Sequence, residues 1–179
     1  MMPGMIAPQH QPHILYAVFA DPAHGRLEGL RRAHYPPHRN RSPAHCTLFH
    51  AVPGLATGEL ADLVAAETRR LAPPRAVIDR VIDLDGGTAF GVACEGLIDL
   101  RAMLAERLLG LLSGADTHAA RLHVTVQNKV ERAEAHRLQA ELRRGWHPVE
   151  TRAAAIALAR VDPAGWVAAG RWAFRGNTK

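Results

Sequence analysis

Residues 121–128 read Arg121-Leu122-His123-Val124-Thr125-Val126-Gln127-Asn128. Polar and apolar side chains alternate, which predicts a strand with one face on a core. Residues i and i+2 share a face of a strand, so His123, Thr125, Gln127 and then Lys129 form a polar stripe. Val124 and Val126 fall on the opposite face. The same pattern occurs earlier in the chain, where Pro43-Ala44-His45-Cys46-Thr47-Leu48-Phe49-His50 enters a predicted strand His45–Val52. There His45, Thr47 and Phe49 share one face, and Cys46, Leu48 and His50 take the other. Each strand therefore carries His-x-Thr between apolar residues.

Outward from these two strands the pattern repeats. A strand over His13–Ala20 precedes a helix from Pro22 to about His34, which Pro36-Pro37 closes. A basic, proline-bounded loop, Pro37–Pro43, leads into the first motif strand. A helix from about Gly58 to Leu71 follows, with Thr57 as its expected cap and Leu60, Leu63, Val64 and Leu71 as its apolar stripe. Strands Arg75–Leu84 and Thr88–Cys94 meet at an Asp85-Gly86-Gly87 turn. A helix Leu97–Leu112, the second motif strand, a helix Glu131–Arg144 and strands Val149–Val161 and Trp166–Phe174 complete the chain. Strand, helix, strand, helix, strand, strand thus occurs twice, with Thr88–Cys94 serving both units. The pattern predicts an α+β fold of two pseudo-symmetric lobes, each with a mostly antiparallel sheet and about two helices, and a cleft between them. Residues 1–12 are expected to be a flexible leader and 13–179 one bilobed domain.

With 179 residues, 47% of them apolar and 22% charged, the chain has a globular composition rather than a disordered or fibrous one. No apolar run approaches the roughly 18 residues of a membrane span. Cys46 and Cys94 form no CxxC pair, so neither a zinc site nor a disulfide framework is indicated. Two thiols, together with the lack of any Lys or Arg before the apolar run Ile14–Ala20, suit a cytoplasmic protein with no signal peptide. The net charge is +5, and a basic cluster of Arg26, Arg31, Arg32, Arg39 and Arg41 lies between Asp21 and His45. Such a cluster attracts phosphates or anionic polymers, and equally reads as a solvated helix face and loop.

Two imidazoles facing one phosphate can serve as base and acid near neutral pH without a metal or other cofactor. Hydroxyls beside them can donate to the non-bridging oxygens, where charge concentrates in the transition state. His45 and His123 are the catalytic candidates, and Thr47 and Thr125 the phosphate-binding ones. The two motifs, 78 residues apart at corresponding points of the repeat, together with Val126-Gln127-Asn128-Lys129, resemble the 2'-5' RNA ligase-like branch of the two-histidine (2H) phosphoesterases. That resemblance implies a bilobed α+β fold and metal-independent chemistry on 2',3'-cyclic phosphates or 2'-5' linkages. It also implies shared acid and base roles for His45 and His123, exchanged when the reaction reverses. The partner it implies is an RNA end or nucleotide with a 2',3'-cyclic phosphate. No membrane and no obligate protein partner is indicated.

Further substrate contacts are expected from Lys129 and Gln127 on the second strand and from Tyr35, Arg39 and Arg41 in the basic loop. Phe49 is read either as a base-stacking ring or as a core aromatic. With 9 aromatic residues in the chain, a long stacking platform is not expected, and a nucleotide or RNA end fits better than an extended tract. Two rivals stand beside this reading. Eleven histidines suggest a metal-dependent hydrolase, but no H-E-x-x-H or comparable spacing accompanies them. A non-catalytic module of the same fold that binds RNA or nucleotide ends is the other.

Overall fold

The computed structural model describes residues 11–177. Most of the expected leader and Lys179 lie outside the described residues. Seven strands form a single antiparallel sheet: β1 (His13–Phe19), β2 (Cys46–Val52), β3 (Arg75–Asp83), β4 (Gly87–Ala93), β5 (His123–Asn128), β6 (Val149–Asp162) and β7 (Gly165–Ala173). The helices among the described residues are α1 (Ala23–His34), α2 (Thr57–Arg70), α3 (Glu95–Arg107) and α4 (Arg132–Gly145). The sheet order is β1-β2-β5-β4-β3-β6-β7, with β1 also paired to β6.

The sequence predicts a separate sheet for each half, and here the structure differs. β6 has 14 residues, enough to pair with β3 through Val149–Arg152 and then with β1 through Ala153–Arg160. It joins both halves into one sheet. The repeat survives in the pairing: β1 pairs with β2 and β6, and its counterpart β4 pairs with β5 and β3. The third strands of the two units are thus exchanged. No periodicity within a strand encodes that exchange.

β2 and β5 meet at one registered pair, Cys46 with Val124. Each is the residue between the histidine and the threonine of its motif, so an approximate two-fold axis passes between the strands at that point. Cys46, Leu48, Val124 and Val126 are buried in one core with Leu27 of α1, Leu60 and Val64 of α2, and Leu97 and Leu104 of α3. Burial pushes the Cys46 thiol up to about 12, so it stays protonated, an inert core group.

Two local expectations are corrected. Thr57 opens α2 rather than capping it; its hydroxyl donates back to the Gly54 carbonyl at 2.7 Å. The helix expected to reach Leu112 stops at Arg107, followed by a turn in which Gly110 has φ +82°, a left-handed conformation that ends helices. The β3–β4 turn behaves as expected, with Asp85 at φ 56° and Gly86 at φ 102°. Among the described residues no helix is long and apolar enough to cross a membrane.

Candidate active site

Antiparallel pairing about Cys46 and Val124 sets His45 towards Thr125 and Thr47 towards His123, all on the face away from the core. These four residues line one cleft of about 570 Å³. The two histidines are held in the same way. His45 Nδ1 lies 2.6 Å from the Pro43 carbonyl, and His123 Nδ1 lies 2.7 Å from the Arg121 carbonyl. A carbonyl only accepts, so each Nδ1 carries the proton and each Nε2 is left for the cleft.

The surroundings of the two rings differ. His45 packs against Trp166 at 4.4 Å and Tyr16 at 5.8 Å between ring centroids. Trp166 comes from the start of β7, and its amide donates to the Arg41 carbonyl at 3.4 Å. Arg41 in turn donates to the Pro163 carbonyl, tying the basic loop to the β6–β7 hairpin. Burial lowers the His45 pKa from 6.5 to about 4, and the charges of Arg31, His123 and His50 act in the same direction. His45 is therefore neutral at physiological pH.

Beyond each threonine the strands leave simple alternation. Tyr16 and Leu15 of β1 pair with Thr47 and Phe49, so Leu48 is an extra residue in β2. Ala89 and Thr88 of β4 pair with Thr125 and Gln127, so Val126 is an extra residue in β5. These two bulges occupy the same place in the repeat and invert the side chains that directly follow. Phe49, which parity sets on the cleft face, is fully buried, so its reading as a core aromatic holds, with the Arg101 guanidinium 4.9 Å from its ring centre. Gln127 is 2% exposed and accepts from the Thr88 hydroxyl at 3.1 Å, so the expected polar stripe ends at Thr125. Lys129 follows the strand at φ 60° and does not line the cleft. His50 and Asn128, which alternation assigns to the core face, line the cleft in their stead.

Two buried arginines support the bulges. Arg31 of α1, 3% exposed, donates to the Thr125 carbonyl at 2.8 Å and to Asn40 and Ser42 of the loop. Arg101 of α3, 8% exposed, donates to the Leu48 carbonyl at 2.9 Å and to the Asp116 and His118 carbonyls. Each arginine serves the motif strand of the other repeat. Asp116 is buried as well, and its carboxylate accepts from the His50 and Ala51 amides at 2.8–2.9 Å and from His50 Nδ1 at 3.1 Å. Burial opposes its charge, but those hydrogen bonds outweigh it and hold the carboxyl below its ordinary range.

Tyr35, Arg39 and Arg41 line the cleft, with the Arg31 guanidinium 4.1 Å from the Tyr35 ring centre. Arg26, from the same basic cluster, instead covers Trp146 at 4.1 Å. Trp166, His50, Asn128 and Asp116 are the residues that sequence alone does not reveal. Trp166 had one faint signal, a tryptophan directly after an Asp-Pro-Ala-Gly turn. Among the described residues no group of three or more His, Cys, Asp or Glu is placed to hold a metal ion. A larger cavity, about 630 Å³, lies where β6 passes from β1 to β3 and contains none of the motif residues.

The fold matches solved structures of low sequence identity. TT0787 of Thermus thermophilus superposes with a TM-score of 0.62 at 20% identity, covering 93% of this chain and 100% of that one. E. coli LigT complexed with 3'-AMP gives a TM-score of 0.61 at 17% identity, covering 92% and 98%. The same protein complexed with NADP+ gives 0.55 at 16% identity, again covering 92% and 98%. No curated protein sequence matches the chain. The family model of the 2'-5' RNA ligase superfamily matches residues 19–164, a span that contains both His-x-Thr motifs and most of the sheet. With that match and the paired motifs on one cleft, the chain belongs to the 2'-5' RNA ligase superfamily, the two-histidine phosphoesterases.

Proposed function

We propose that the protein is a metal-independent phosphoesterase that opens a 2',3'-cyclic phosphate at an RNA or nucleotide end to a 2'-phosphate. The observation that carries this reading is the pair of histidines, each with Nδ1 tied to its own strand and Nε2 free, flanking two threonines in one cleft. Displacement at phosphorus needs the entering and leaving oxygens on opposite sides. Two imidazoles related by an approximate two-fold axis suit that demand.

Neutral His45 acts as the base. It takes a proton from water as the water oxygen bonds to phosphorus. The bond from phosphorus to O3' breaks, and protonated His123 delivers its proton to that oxygen. Thr47 and Thr125 donate to the non-bridging oxygens, whose charge grows in the transition state. With a ribose 5'-hydroxyl in place of water the same steps make a 2'-5' linkage. When that linkage is cleaved back to the cyclic phosphate, the two histidines exchange roles. Tyr35, Arg39, Arg41 and Trp166 hold the nucleoside and its charge. E. coli LigT has been solved with 3'-AMP, ATP and NADP+, all adenine nucleotides, which supports a nucleotide ligand for this cleft.

Incubation with each 2',3'-cyclic mononucleotide and a cyclic-phosphate-ended oligoribonucleotide in excess EDTA tests this. Chromatography resolves the 2'- from the 3'-phosphate. Formation of the 2'-phosphate is the expected result. Absence of turnover on every substrate, with the nucleotide still bound, would leave a binding module of the same fold.

A further inference from the structure

We propose that His50, seated on the buried carboxylate of Asp116, binds a second phosphate group of the substrate, apart from the one held between His45 and His123. This inference rests on the nucleotide-phosphate reading above and extends it to the rest of the substrate.

The placement of His50 is built rather than incidental. A second register irregularity in β2, between the partners of His13 and Leu15, turns the His50 and Ala51 amides out of the ladder. Asp116 takes both amides and also His50 Nδ1. Arg101 fixes the Asp116 backbone through its carbonyl, so the carboxylate cannot follow a moving ring. With Nδ1 committed, Nε2 is the nitrogen His50 presents to the cleft, and it donates to an anionic oxygen when it carries the proton.

The charge of the cleft points the same way. Arg39, Arg41 and three histidines line it, and no carboxylate does. Arg31 is occupied by protein acceptors and Arg41 donates to the Pro163 carbonyl, but one phosphate flanked by His45, His123 and two threonines still leaves Arg39 and Arg41 without an anionic partner, and Asp116 engages only the Nδ1 side of His50. A substrate with a single phosphate does not use them. Because Leu48 is an extra residue, His50 lies about two ladder positions beyond Thr47, roughly 7 Å along the strand and clear of the reacting phosphate. The corresponding position on β5 is the neutral Asn128, so only one end of the cleft is equipped in this way.

Calorimetric titration with a nucleoside 3'-monophosphate, the matching 3',5'-bisphosphate and a dinucleotide ending in a 3'-phosphate tests the site. The last two separate a terminal phosphate from an internucleotide one. Wild-type protein is expected to bind at least one of them about tenfold more tightly than the monophosphate, the size of one charged hydrogen bond. His50→Gln keeps a donor for Asp116 and should reduce that ratio to below about threefold, as should His50→Ala. A wild-type ratio near one, or an unchanged ratio in both variants, overturns the proposal. Because binding is read without turnover, a His50-dependent ratio in a protein that hydrolyses no cyclic phosphate would sink the proposed reaction and leave this site standing.

Discussion

β2 and β5 carry the same machinery. Each has His-x-Thr followed by a one-residue bulge, each histidine ties Nδ1 to the carbonyl two residues back, and each bulge is held by a buried arginine of the other repeat. The difference lies in what surrounds them. His45 is walled by Trp166 and Tyr16, and His50 beyond it rests on Asp116. No ring packs on His123 among the described residues, and Asn128 stands where His50 does. A two-fold frame gives two equivalent imidazoles, whereas acid–base chemistry needs one neutral and one protonated. The asymmetric wall buries one ring, and burial disfavours its charged form, as the reaction proposed above requires of its base.

The largest effect is expected from the symmetric parts. His45→Ala or His123→Ala should lower kcat by at least about 10², the scale for losing a positioned acid or base. Steady-state turnover of a 2',3'-cyclic nucleotide measures it, and a loss confined to one of the two would break the equivalence of the strands. Next come the crossed arginines. Arg31→Met and Arg101→Met each leave buried carbonyls without a donor and should cost about 2–4 kcal/mol of stability, read from denaturant midpoints. Similar losses in both would sharpen the symmetry; a neutral Arg101→Met would show that only one bulge needs its support. Thr47→Val and Thr125→Val should each lower kcat by at least about tenfold with KM little changed, since the donor acts in the transition state.

The smallest change concerns the asymmetry itself. Trp166→Ala readmits water to His45, so its pKa should rise from about 4 towards 6.5 and the acid limb of kcat/KM should move up with it. The sign for stability follows. Between about 4 and 6.5 the unfolded chain binds a proton at His45 that the folded protein does not, so folding weakens as pH falls through that window. Trp166→Ala should flatten that dependence. An acid limb unmoved by the substitution would assign the low pKa to another cause.

Alternation and turn chemistry made both motif strands, every helix and the Asp85-Gly86 hairpin legible in the sequence, with ends within a few residues apart from the Leu108–Leu112 overrun. They failed where one residue was inserted. A bulge has no compositional mark, so strict parity assigned Phe49, Gln127 and Lys129 to the cleft and His50 to the core face. The buried arginines were hidden for a different reason. Arg31 and Arg101 lie on helices, where an arginine ordinarily reads as solvated, and only the exchanged strands show that carbonyls await them. Trp166 and Asp116 reach the site through β7 and a short turn at Gly114–Thr117, contacts across the fold that no local pattern encodes.

The most direct test of the two unlike histidines is kcat/KM for a 2',3'-cyclic nucleotide from pH 3 to 9, in wild-type protein and in His45→Ala and His123→Ala. The wild type should give a bell whose acid limb lies near pH 4, well below that of a free imidazole. Residual activity in His45→Ala should lack the acid limb. A wild-type profile that is monotonic over this range, or limbs that persist in both variants, would contradict paired base and acid histidines.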